Sequence, residues 1–79
     1  MSDSMEVDVT VDARGAACPG PLMDLIGKVK TVDAGSVVEL RTEDDGSKKD
    51  VPEWVAKAGH ELVDVVDEGE YYSIYVRTT

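Results

Sequence analysis

The sequence is poor in the residues that build disulfides and metal sites. Its 79 residues include one cysteine and one histidine. One cysteine excludes a disulfide within the chain, and this pair cannot supply the four ligands of a structural zinc site. We expect neither a metal nor a cofactor. A chain of this length suits one small domain, which we place at residues 1–79 with a core over about 6–77.

Long apolar runs are also missing. No stretch approaches the roughly 20 apolar residues that cross a bilayer. Residues 1–12 are acidic and lack the basic start and apolar centre of a signal peptide. We therefore expect a cytoplasmic protein without a membrane partner, in which the thiol stays reduced.

Positive charge is scarce. Eight lysines and arginines stand against seventeen aspartates and glutamates, which gives a net charge of −9. Such a chain repels phosphate backbones, so direct binding of nucleic acid is not expected. The acidity suits docking to basic protein surfaces. Solubility and adaptation to high salt both remain open as explanations for it.

The first half of the chain changes its apolar period once. Valines alternate with polar residues over 6–12, as in a half-buried strand. From Pro19 onwards the apolar residues instead fall on one face of a predicted helix, which ends near Gly35, and a strand is predicted over 37–42. That helical face consists of Leu22, Leu25, Ile26, Val29 and Val32.

The second half predicts one helix and two strands. Residues 43–47 indicate a polar loop, and Asp50 with Glu53 suits the capping box of a helix that ends at Gly59. Strands are predicted over 62–66 and 72–76, joined by a tight turn. The expected helical face carries Val51, Trp54, Val55 and Ala58.

This order, βαβαββ, predicts an α+β fold. Alternation in the first and last strands indicates a sheet with one buried and one wet face. Both helices should then cover the same face of a mixed four-stranded sheet, forming a two-layer α/β sandwich. A monomer is expected because no long apolar surface stands out.

The candidate site is the lone thiol of Cys18, where a strand gives way to a helix. Backbone N–H groups at a helix N-terminus favour the thiolate, which is the nucleophile. The supporting residues are a cation, two glycines that leave room for an approaching molecule, and two prolines that stiffen the segment. They are Arg14, Gly15, Pro19, Gly20 and Pro21. The opposing interpretation is a small buried, inert cysteine.

These residues carry a resemblance. Cys18-Pro19-Gly20-Pro21 resembles the Cys-Pro-x-Pro motif of the TusA family, the SirA-like sulfur carriers. The spacing from Asp12 to Leu22, the stretch 50–54 and the pair Gly59-His60 are also similar to the family's pattern. The likeness covers roughly residues 9–77, and the family's βαβαββ sandwich agrees with the order above.

The resemblance implies a sulfurtransferase-type carrier. Cys18 would accept sulfane sulfur as a persulfide from a cysteine desulfurase or rhodanese-like donor. It would then pass the sulfur to an acceptor protein in tRNA thiolation, sulfur metabolism or molybdenum-cofactor assembly. Many members carry basic residues in the second turn of the first helix, where this chain has Ile26-Gly27. Whether the carrier counts as an enzyme is also open, since it turns over only with its partners.

Two alternatives to a carrier remain. In one, Cys18 acts in a non-catalytic redox-sensing or regulatory module; in the other, it is an inert residue of a structural adaptor. Five aromatic or histidine positions have simpler explanations than function. We expect His60 to cap or pack, Trp54 to belong to the core, and Tyr71, Tyr72 and Tyr75 to be strand residues with Tyr72 on the opposite face from the other two.

Overall fold

The computed structural model describes residues 7–16 and 20–79. Its elements follow the predicted order. They are β1 (Val9–Asp12), α1 (Gly20–Val29), β2 (Val37–Thr42), α2 (Asp45–Ala58), β3 (Glu61–Asp67) and β4 (Tyr72–Arg77). None of the helices in these ranges is long and apolar enough to span a bilayer.

The four strands form one mixed sheet in the order β1-β2-β4-β3. β1 runs parallel to β2, while β4 is antiparallel to both β2 and β3. β1, β2 and β3 therefore all end at the same edge of the sheet. This edge also carries the β1–α1 connection, the β2–α2 connection and the β3–β4 turn.

The core lies between the sheet and the two helices, as the alternation in the strands predicted. Its central side chains are fully buried aliphatic residues from both layers. Leu25 of α1 and Val51 of α2 meet Val38 and Leu40 of β2 there. The two-layer α+β arrangement with both helices on a mixed sheet is confirmed.

The predicted start of α2 was wrong. The stretch 43–47 is not a loop, because α2 begins at Asp45, and Asp50 lies inside the helix instead of capping it. Asp44 is the N-cap, and its carboxylate accepts hydrogen bonds from the backbone N–H and the hydroxyl of Ser47, at 3.0 and 3.1 Å. Pro52 accordingly falls in the helix interior.

Smaller corrections concern the ends of elements. α1 ends at Val29, so Gly35 does not stop it; Gly35 has a φ of 91° in the turn that leads into β2. β1 begins at Val9, and Glu6 lies outside the described residues. Ala58 is exposed and does not join the buried face of α2. Gly59 does end α2, with a φ of 83°.

Candidate functional site

The predicted site lies where β1 leads into α1. Cys18 and Pro19 fall in residues 17–19, outside the described part of the chain. The two ends of this segment are described: Ala16 follows the turn after β1, and Gly20 is the first residue of α1. A Cβ atom on Gly20 would lie 3.4 Å from the Cβ of Ala16, which shows that the two ends approach each other closely.

The supporting residues have separable roles. Gly15 has a φ of 90° and no atom within 4 Å of a Cβ position, so its conformation, and not crowding, favours glycine there. Pro21 is buried in the first turn of α1, where its missing N–H costs no intrahelical bond. These residues fix the turn before the segment and the helix after it.

Arg14 is held by a carboxylate. Its Nε and Nη2 atoms donate to the two carboxylate oxygens of Asp12, both at 2.9 Å, and its backbone N–H also donates to Asp12. Hydrogen bonds from Arg14 lower the pKa of Asp12 from 3.8 to about 2. The pair is exposed to solvent, so it fixes geometry more than it adds stability.

Two surface depressions are lined by residues that lie close to Cys18 in the sequence. A cleft of about 350 Å³ is lined by Asp12, Arg14, Gly15 and Glu43. A groove of about 240 Å³ between α1 and α2 is lined by Leu22 and four residues of α2, Asp50, Glu53, Trp54 and Lys57. Gly15 precedes Cys18 by three residues and Leu22 follows it by four, so each depression contains a residue close to the thiol in sequence.

Sequence reasoning missed the residues that the third loop brings to this edge. Tyr71, at the end of the β3–β4 turn, has its ring centroid 5.3 Å from the guanidinium carbon of Arg14 and 5.7 Å from that of Arg41. The pairing of β4 with β2 explains this placement, because it sets the start of β4 beside the end of β2 and therefore brings Tyr71 close to Arg41 and to the connection that follows β1. Glu43 is also a new member of the site, because it lines the same cleft as Arg14 and Gly15.

A buried carboxylate lies behind this cluster, on the helix-free face of the sheet. Glu39 accepts hydrogen bonds from Ser73 at 2.8 Å, from Arg41 at 3.1 Å and from Thr10 at 3.2 Å. Burial alone would raise the pKa of Glu39, but these hydrogen bonds outweigh it and leave the pKa below its ordinary value. The network fixes Arg41 on the sheet.

The remaining aromatic candidates have structural roles. Trp54 is half-buried against the core, and its ring lies 5.5 Å from the ring of His60. The Nδ1 atom of His60 accepts a hydrogen bond from the backbone N–H of Thr79. Tyr72 donates to Asp45 on the helix-covered face, whereas Tyr75 lies on the other face, as predicted.

Over the described ranges, no group of three or more His, Cys, Asp or Glu side chains is arranged to hold a metal ion.

The chain matches a known protein family over most of its length. Residues 9–78 match the family model described as Sulfurtransferase TusA. A putative sulfur carrier protein of Archaeoglobus fulgidus is 56% identical over 69 residues, which cover 87% of this chain and 94% of that protein.

Two further relatives and one solved structure agree with this match. A putative sulfur carrier protein of Halobacterium salinarum is 34% identical over 80 residues, covering 100% of this chain and 99% of the relative. The sulfur carrier protein TusA of Pseudomonas aeruginosa is 34% identical over 71 residues, covering 90% of each. The crystal structure of a SirA-like protein from Desulfitobacterium hafniense matches with a TM-score of 0.78 at 20% identity, over 87% of this chain and 95% of that one, and supports the fold.

Proposed function

The chain belongs to the sulfurtransferase TusA family of sulfur carriers, and on that premise we propose that Cys18 carries sulfane sulfur as a persulfide between two partner proteins. The observation that carries the proposal is the position of the only cysteine. It stands two residues before the first residue of α1 and six residues after the last residue of β1. Strand-to-helix connections at the carboxyl edge of a sheet are common places for sites.

The chemistry needs only a thiolate and a persulfide donor. The Cys18 thiolate attacks the outer sulfur of the donor's persulfide, a new S–S bond forms on Cys18, and the donor's S–S bond breaks with its own thiolate leaving. The second transfer repeats this step, with the acceptor's thiolate attacking the outer sulfur on Cys18. No net oxidant or reductant is consumed in either step.

Three features of the chain support this role. The N-terminal end of α1 favours an anion close to Gly20. Arg14 adds a cation before the segment, and Gly15 shapes the turn from which the segment departs. Pro19 and Pro21 restrict the backbone on either side of Gly20, which limits the directions open to the sulfur.

We place the carrier in the cytoplasm, acting as a monomer between a cysteine desulfurase or rhodanese-like donor and a protein acceptor. Because the chain has a net charge of −9, its docking to basic protein surfaces is favoured over binding to nucleic acid. The pathway it serves is proposed to be tRNA thiolation, sulfur metabolism or molybdenum-cofactor assembly.

The first prediction concerns the Cys18→Ser variant. After incubation with a cysteine desulfurase and cysteine, intact-mass spectrometry of the wild-type chain should show a gain of one sulfur, about 32 Da, that a reductant removes. Cys18→Ser should show none, because its hydroxyl cannot form a persulfide, while its urea unfolding midpoint stays close to that of the wild type.

The outcomes separate the three candidate roles. A carrier gains the sulfur only through Cys18. A redox sensor leaves the mass unchanged with the sulfur donor but gains oxygen or a disulfide adduct with an oxidant. An adaptor with an inert thiol gains neither, and either of these two results would overturn the proposal.

A further inference from the structure

β3 forms one outer edge of the sheet. In the strand order β1-β2-β4-β3, β4 is its only neighbour among the strands of the described residues, so its other side is a free edge. β3 is also the longest strand, with seven residues. An outer strand of this length presents backbone N–H and C=O groups that can pair with a strand of another chain. A protein that stays monomeric must keep such an edge from pairing.

The sequence of β3 would favour pairing with another chain but for one residue. Between Glu61 and Asp67 the strand reads Leu-Val-Asp-Val-Val, in which four apolar residues surround Asp64. Leu62 has 38% of its surface exposed. Short apolar segments rich in β-branched residues and low in charge are prone to join other chains, and a single charged residue interrupts this tendency. Asp64 has that position in β3.

The backbone N–H of Val65 points away from β4, towards the free edge. Successive residues of a strand direct their N–H and C=O groups to opposite sides. The carbonyl of Arg41 accepts the N–H of Ala13 at 2.9 Å, so the backbone groups of Arg41 face β1 and those of Leu40 face β4. Ile74, the partner of Leu40, therefore directs its groups to β2. Val65 lies opposite Ile74 on the other side of β4, so its own groups point outwards.

The carboxylate of Asp64 already occupies this outward N–H. Its Oδ1 atom accepts a hydrogen bond from the backbone N–H of Val65 at 2.8 Å. The register with β4 also shifts between Leu62 and Asp64, which leaves Val63 as an extra residue. Such a bulge twists an outer strand and makes it a poorer template for pairing. A negative charge, an occupied N–H and a bulge thus coincide at one position of the free edge.

We propose that Asp64 protects the free edge of β3 against a second copy of this chain: its carboxylate occupies the Val65 N–H that a second β3 would need, and its charge repels an incoming strand that carries the same residue. Each of two pairing β3 strands would bring three carboxylates, those of Glu61, Asp64 and Asp67, which adds to the repulsion. The proposal concerns the monomeric state and goes beyond the sulfur chemistry of Cys18.

Size-exclusion chromatography with light scattering tests this role through the Asp64→Val variant. The wild-type chain should keep the mass of one chain from micromolar to millimolar concentration. For Asp64→Val, we expect the mass to rise about twofold over this range, because the Val65 N–H becomes available and the strand becomes apolar from Leu62 to Val66. An Asp64→Val variant that keeps the mass of one chain, or a wild type that already has the mass of two, would overturn the proposal.

Two controls separate edge pairing from non-specific association. Glu61→Val also replaces an exposed acidic residue of β3 by valine, but it leaves Asp64 in place and should keep the mass of one chain. Adding Val65→Pro to Asp64→Val removes the outward N–H and spares the hydrogen bonds to β4, so this double variant should return to the mass of one chain. Equal association of Glu61→Val and Asp64→Val, or a folded double variant that still associates, would refute pairing at this edge.

Fluorescence of the single tryptophan checks that each variant is folded. Should Asp64→Val precipitate or unfold, Asp64→Thr takes its place, because threonine favours a strand, keeps a polar side chain and supplies no carboxylate. An Asp64→Thr variant that keeps the mass of one chain is equally fatal to the proposal. Failure here leaves the carrier function intact, because the sulfur gain of the wild-type chain reports on Cys18 and the masses of the variants report on β3.

Discussion

Replacing Leu25 by alanine is expected to lower the free energy of unfolding by about 3 kcal/mol. Leu25 is fully buried at the centre of α1 and belongs to the core that joins this helix to the sheet. The substitution removes buried apolar surface and leaves a cavity that the surrounding valines fill only in part. For a domain of this size, whose total stability is roughly 5 kcal/mol, more than half of the stability would be lost.

Urea unfolding followed by the fluorescence of the single tryptophan measures this change. Met23→Ala is the matched control, because Met23 lies on the same helix with 59% of its surface exposed and should change the stability by less than about 0.5 kcal/mol. Equal losses in the two variants would show that α1 does not pack on the sheet as described. The Leu25 variant should also load less sulfur at temperatures where it is partly unfolded.

Replacing Glu39 by alanine is expected to cost about 2 to 3 kcal/mol of unfolding free energy. With 6% of its surface exposed, Glu39 accepts hydrogen bonds from Ser73, Arg41 and Thr10. Removal of the carboxylate leaves the fully buried Ser73 hydroxyl without this acceptor and releases Arg41. Urea unfolding measures this loss, and Glu53→Ala is the control. Glu53 is exposed on α2, so its replacement should hardly change the free energy of unfolding.

The same carboxylate makes part of the stability pH-dependent. Because the folded-state pKa of Glu39 lies below its ordinary value of 4.5, its contribution is complete above that value and is lost as the pH falls through the folded-state pKa. The stability difference between the wild type and Glu39→Gln should therefore be constant above about pH 5 and become smaller in more acidic solution. A difference that is independent of pH would show that Glu39 titrates alike in both states.

The architecture was predictable because the apolar patterns of its elements are regular. Valines at every second position predicted β1, and apolar residues that share one helical face between Leu22 and Val29 predicted α1. The start of α2 was not predictable in this way. Asp44, Asp45 and Gly46 have low helix propensity, yet Ser47 is fully buried and capped by Asp44, so tertiary burial and the cap determine the helix start.

The candidate site likewise has a part that the local sequence predicts and a part that depends on tertiary contacts. Cys18 and its neighbours are predicted from local sequence alone, since a lone cysteine among glycines and prolines is conspicuous. Tyr71 meets Arg14, which lies more than fifty residues earlier in the chain, and Arg41 of β2, and only the sheet topology brings the three side chains together. Local patterns contain no record of such contacts, and the prediction of Tyr71 as a strand residue is wrong, because β4 begins at Tyr72.

The central claim is that Cys18 carries a sulfur that can be passed on, and cyanolysis tests it most directly. The chain is loaded with inorganic polysulfide, separated from the donor by gel filtration and treated with cyanide, which removes a persulfide's outer sulfur as thiocyanate and returns the thiolate. The account predicts one thiocyanate per wild-type chain and none from Cys18→Ser. No thiocyanate from the wild type, or equal amounts from both proteins, would contradict it.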